Sequence, residues 1–117
     1  MPAQEISLGL GSVVYALAKA DGHIEPDEAN RLRELLTRQP HGDLAWYAFQ
    51  LHLHQDRKCR EAYGYALRRF RNNRHELDEL QKARFVEILE QVAAADANVA
   101  KRELALIDQF QHDLRAL

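Results

Sequence analysis

The sequence predicts an all-α fold, a single-domain bundle of about six helices, and three observations carry that expectation. Ala, Leu, Arg, Glu and Gln dominate the chain, and all favour helix. Apolar residues recur at i, i+3, i+4 and i+7 through most of its length. Three prolines and five glycines in 117 residues are too few to punctuate many strands and turns. The length suits one domain spanning residues 1–117. A composition 46% hydrophobic and 29% charged is that of a globular protein, and a domain of this size buries roughly 65% of its unfolded surface. Disordered and fibrous classes are excluded.

The first helix is expected over about 6–20, with Leu10, Val13, Val14, Leu17 and Ala18 as one buried stripe, stopping at Asp21-Gly22. The second begins at Pro26, whose missing N–H is harmless at a first helical position, and turns Ala29, Leu32, Leu35 and Leu36 inward. Gln39-Pro40-His41-Gly42 ends it. Asp43 can cap a third helix with Leu44, Tyr47, Ala48 and Leu51 on its inner stripe and Trp46, Phe49 and Leu53 widening it. The fourth, about 56–73, buries Cys59, Tyr63, Ala66, Leu67 and Phe70. The fifth, about 77–95, shows Leu77, Leu80, Phe85, Ile88, Leu89 and Val92. The sixth, about 101–114, shows Leu104, Ile107, Phe110 and Leu114.

Sliding the chain over itself by 75 positions gives a continuous match. Val13 meets Ile88, Leu17 meets Val92, Asp21 meets Asp96, Ile24 meets Val99, Glu28 meets Glu103 and Leu32 meets Ile107. The shared pattern is A-D-x-x-[IV]-x-x-x-E between two amphipathic helices. Apolar matches alone mean little, but two acidic pairs coincide in the same register. The expectation is two hairpins, about 6–38 and 77–114, packed about a pseudo-twofold axis with the helices of 43–74 inserted.

The stretch from Ala18 to Glu28, AKADGHIEPDE, with its echo from Ala93 to Glu103, AAADANVAKRE, resembles the TerB-like family. That family includes tellurite-resistance protein B and the N-terminal region of DjlA-type membrane co-chaperones. The resemblance implies an all-helical domain in bacterial stress response whose paired acidic residues hold a divalent cation. The second segment departs from the pattern, with Ala97 in place of Gly and Ala100-Lys101-Arg102 in place of a polar cap and acids.

Asp21 ends one helix and Glu28 opens the next, so a short turn can bring them together. Asp21, Glu28, Asp96 and Glu103, with Glu25 and Asp27 as auxiliaries, are the candidate metal ligands. Converging carboxylates repel unless a cation or proton intervenes, and oxygen-only ligation suits Ca²⁺ or Mg²⁺ better than Zn²⁺. The EF-hand spacing is absent. A second reading stays open: acids in a helix's first turn meet the positive end of its dipole or cap it, and Asp before Gly is ordinary turn chemistry.

A basic segment is the other candidate. Arg57, Lys58, Arg60, Arg68, Arg69, Arg71 and Arg74 stand against the single acid Glu61, so residues 57–74 carry +6 in a chain of net charge −2. Such a face can bind phosphate, on nucleic acid or an anionic membrane, with Tyr63 and Tyr65 interleaved. Alternatively its arginines are solvated and pair with Glu76, Asp78 and Glu79, or opposed charges attract a protein partner or a second copy of the chain.

His52 and His54 lie on opposite sides of a helix and cannot chelate one ion, and a solvent-facing place is expected for them. Cys59, the only cysteine, reads as a small core residue, and with no disulfide to form the expected compartment is the cytoplasm. The longest weakly polar run, Leu8 to Ala18, is too short to span a bilayer, and since Met1-Pro2-Ala3-Gln4-Glu5 lacks a basic n-region no secretory signal is expected. There is no Gly-rich phosphate loop, G-x-S-x-G, H-E-x-x-H or His-Pro-Asp tripeptide. The chain is therefore expected to be non-enzymatic, a module for a metal or a protein partner.

Overall fold

Helix α1 (Pro2–Lys19) is buried around its whole circumference at its centre, where Val13, Val14, Tyr15, Ala16 and Leu17 are each 0% exposed. A helix apolar on all sides must have neighbours on all sides, and the remaining chain supplies them. The computed structural model describes residues 2–20, 22–95 and 101–117. After α1 come α2 (Pro26–Thr37), α3 (Gly42–His54), α4 (Cys59–Asn72), a 3₁₀ turn at Arg74–Glu76, α5 (Glu79–Ala94) and α6 (Lys101–Arg115), with no strand among the described residues. Helices α3 and α4 pack most extensively on α1, α5 and α6 cover it further, α2 rests on α3, and α6 rests on α5. One continuous core draws side chains from all six helices.

The closest approach is between α1 and α3. A methyl group added at Gly11 would stand 1.9 Å from the carbonyl oxygen of Ala45, so glycine is required there. At the other side of the core Phe70 of α4 meets Phe85 of α5 and Phe110 of α6 with ring centroids 5.8 and 5.9 Å apart. Tyr63 of α4 packs edge-on to Phe110 and donates a 2.6 Å hydrogen bond to Asp113. These contacts bind the second half of the chain to the first.

Several local expectations are corrected. Helix α3 is turned about its axis: Ala45, Ala48, Phe49 and His52 are buried, while Tyr47 and Leu51 are 58% and 42% exposed. With apolar residues almost all round α3, periodicity left its phase open, and the tight seat of Ala45 on Gly11 decides it. Asp43 does not cap α3; His41 is the N-cap, at φ 55, and makes no side-chain cap bond. Helix α4 starts at Cys59, because Asp56 takes φ 49 and Lys58 is extended. Leu80 is 81% exposed and Leu104 52% exposed. Leu77, just outside α5, fills the core in place of Leu80, and Asp78 caps α5 by accepting from the Gln81 N–H at 2.7 Å.

At the 75-residue offset the helix boundaries coincide: α1 ends at Lys19 and α5 at Ala94, α2 starts at Pro26 and α6 at Lys101. The environments differ, since α1 is the centre of the bundle and α5 lies at its side with an exposed outer face. The repeat remains a reading of the sequence.

Gly11→Ala should therefore destabilise the fold by about 1–3 kcal/mol or more, the usual cost of overpacking. Gly64→Ala, where an added methyl meets nothing within 4 Å, should be neutral or stabilising by up to ~1 kcal/mol. Urea unfolding midpoints of the two variants check both signs.

Candidate functional site

The acidic connection between α1 and α2 closes with the Gly22 N–H donating to the Lys19 carbonyl at 2.7 Å and Gly22 at φ 99. Ile24, 8% exposed, anchors the segment in the core. Glu25 is the extended N-cap of α2 but makes no side-chain cap bond; its carboxylate lies 3.6 Å from His23 Nε2, with both side chains exposed. Asp27 is exposed in the first turn of α2.

Glu28 and Glu103 occupy corresponding places. Each lies in the first turn of its helix, and each heads the inner stripe: Glu28 with Leu32 and Leu36 on α2, Glu103 with Leu106, Ile107, Phe110 and Leu114 on α6. Glu28 is half-buried and Glu103 only 2% exposed, and neither carboxylate is without an interaction. Taking a carboxylate out of water costs several kcal/mol unless compensated, and the positive end of the helix dipole returns only about 0.3–1 kcal/mol of it in an ordinary setting. Glu28 also lines a cleft of about 190 Å³ together with Arg31, Leu35, Gln91, Val92 and Ala95, so the first turn of α2 borders the end of α5. Asp21 and Asp96 lie outside the described residues. Among the described residues no three His, Cys, Asp or Glu side chains form a group that could hold a metal.

The basic segment is not one helical face. Arg57 and Lys58 precede α4, and Arg74 lies in the 3₁₀ turn, where its guanidinium donates to the Arg71 carbonyl at 3.1 Å. Arg69 pairs with Glu5 of α1, and it is the only one of the seven with a carboxylate partner among the described residues. The expected acids are otherwise engaged, Glu79 with Lys82 at 3.2 Å and Asp78 at the α5 cap. Lys58, Arg60 and Arg71 are exposed. Arg57 and Arg68 gather on Tyr65, their guanidinium carbons 4.9 and 5.4 Å from the ring centroid, an arrangement worth about 0.5–1 kcal/mol each at exposed sites.

Sequence reasoning missed a buried polar network behind this arginine pair. His52, expected at the surface, is 5% exposed and its Nε2 lies 2.8 Å from Ser12 Oγ. Its ring packs between Tyr15 and Tyr65, at 5.5 and 5.6 Å. Tyr15 donates its hydroxyl to the Arg57 carbonyl at 2.6 Å, and Lys19 pairs with Asp56 at 2.7 Å, which together hold the α3–α4 loop on α1. Burial, then the positive charges of Arg57 and Arg69, push the His52 pKa down to about 4. Burial and then Asp56 push Tyr15 up to about 12. The signal was present as Ser12 and Tyr15, two polar groups on a helix with no exposed side, and as the spacing Ala45, Ala48, Phe49, His52.

The class so defined is an all-helical module in which the first turns of α2 and α6 each place a glutamate at the head of a core stripe. The family description for tellurite resistance protein TerB matches residues 7–115, nearly the whole chain, and the protein belongs to that family. No curated protein and no solved structure matches it significantly. None of the described helices is long and apolar enough to cross a membrane.

A histidine held neutral in the fold makes stability depend on pH. Between its ordinary 6.5 and about 4 the unfolded chain takes up a proton that the folded chain refuses, so stability falls as pH falls through that window. About 3 kcal/mol should be lost by pH 4 from this group alone. His52→Gln should lack that part of the slope in urea titrations run at pH 7, 5.5 and 4.

Proposed function

We propose that this TerB-family chain is a non-enzymatic, tellurite-resistance-like module that binds a divalent cation at its acidic connections and docks a protein partner beside them. The cation ligands are Asp21, Glu28, Asp96 and Glu103, with Glu25 and Asp27 as outer carboxylates. The observation that carries the reading is the cleft shared by Glu28 and Ala95, because Ala95 is the residue before Asp96 in sequence. The buried Glu103 at the corresponding place on α6 supports it. The donor set is oxygen only, which fits Ca²⁺ or Mg²⁺ rather than Zn²⁺. A cation there would neutralise the carboxylates of Glu28 and Glu103, each in the first turn of its helix.

The partner surface is an apolar groove between α2 and α3, lined by Ile24, Pro26, Ala29, Trp46, Tyr47 and Leu51 with a volume of about 870 Å³. Exposed apolar surface of this kind marks interaction sites, and Ile24 and Pro26 connect it to the acidic turn. The alternative, a phosphate-binding face along residues 57–74 for nucleic acid or an anionic membrane, is supported only around Tyr65, where Arg57 and Arg68 gather on the ring.

Calorimetric titration of the chelator-stripped protein with Ca²⁺ and Mg²⁺ tests the reading. Saturable binding, weakened at least tenfold by Glu28→Gln while the variant keeps its helical circular dichroism, is the expected result. Parent-like binding by both Glu28→Gln and Glu103→Gln would show that these carboxylates are helix-start residues and nothing more.

A further inference from the structure

We propose that the cleft between α1, α3 and α4 binds a small phosphoryl oxyanion, either free phosphate or a phosphomonoester, through His52, Arg57 and Arg69. The cleft measures about 210 Å³, several times the ~30 Å³ share of one water. Ser12, Ala48 and His52 are its buried floor, and the half-open rings of Tyr47 and Tyr65 stand at its mouth.

Two residues that line this cleft each bury a side-chain nitrogen without a hydrogen-bond partner, His52 its Nδ1 and Arg57 its Nε. Native structures rarely leave such groups unmet, because each costs about 1–3 kcal/mol. We assign the tautomer in which Ser12 donates to Nε2 across their 2.8 Å contact, which makes Nδ1 a donor like Arg57 Nε. Arg57 uses its two terminal nitrogens on the Tyr65 hydroxyl, at 3.4 Å, and on Gln55, which leaves Nε as the group without work. An oxyanion supplies acceptors to both orphans at once.

The charge balance agrees. Arg57 and Arg69 border the cleft, and Glu5, paired with Arg69, is their one carboxylate counter-charge among the described residues. Arg68 adds a third guanidinium on the Tyr65 ring. Burial, with the same positive field adding to it, keeps His52 neutral near pH 7, and a bound phosphate opposes that field at the imidazole. Tyr15 and Tyr65 touch the ring from two other elements, and Tyr15, its pKa pushed up to about 12 by burial and then by Asp56, carries no charge at that pH. Tyr47, Tyr65 and Leu51 at the mouth give an apolar seat to whatever carbon group a phosphomonoester carries.

The test follows the His52 Cε1–H resonance by NMR at constant ionic strength, titrating the full chain with inorganic phosphate and separately with phenyl phosphate. The expected result is a saturable shift, with the His52 pKa raised by at least one unit in the complex. Arg57→Gln and the charge-preserving Arg57→Lys should each weaken binding at least tenfold, whereas Arg60→Gln, exposed on α4 away from the cleft, should leave it unchanged. Tighter binding of phenyl phosphate assigns the site to a phosphomonoester, and equal binding assigns it to free phosphate. The proposal is overturned if neither probe saturates, which leaves ordered water as the occupant, or if Arg57 and Arg60 variants lose affinity alike, which is bulk electrostatics.

Discussion

The burial of the centre of α1 on every side is the constraint on which the rest depends. A central helix has no solvent face on which to leave a polar group, so each one it carries must be answered by another element. Ser12 is answered by His52 and Tyr15 by the Arg57 carbonyl. Those two bonds hold His52 of α3 and the α3–α4 loop against α1. Gly11 fixes the spacing, because only a residue without a side chain lets the Ala45 backbone approach.

The outer features follow from that centre. Placing α3 and α4 on one side of α1 leaves α5 and α6 to close the other, joined to α4 through Phe70 and Phe110. The C-terminal end of α1 feeds the acidic turn into α2, and α2 meets the end of α5 at the Glu28 cleft. The Glu28 cleft and the arginine-lined cleft at Tyr65 thus lie on different parts of one scaffold.

Much of the fold was legible because helix existence depends on local spacing and on few breakers. The ends of α1 and α2 were marked by Asp21-Gly22 and Gln39-Pro40, and the start of α2 by Pro26. Phase was less legible wherever a helix is apolar on more than one side. On α3 the stripe through Tyr47 and Leu51 competes with the one through Ala45, Phe49 and His52, and only a long-range contact with Gly11 chooses between them. Leu80 and Leu104 were assigned inward because type alone was weighed, while Leu77 and Leu106 fill those places in space. Of the acidic residues, the register shared by Glu28 and Glu103 could be read from the sequence, whereas the burial of Glu103 could not. His52 was missed because a histidine on an apolar stripe gives no sign of its partner, Ser12, forty residues away in the chain.

Native-state hydrogen exchange tests the central place of α1 most directly. Amides from Leu10 to Ala18 should exchange only through global unfolding, with protection equal to the full stability measured in urea and denaturant dependence to match. Exchange of these amides through a smaller opening, while α3 or α4 stayed protected, would contradict the scheme and place the structural centre elsewhere in the bundle.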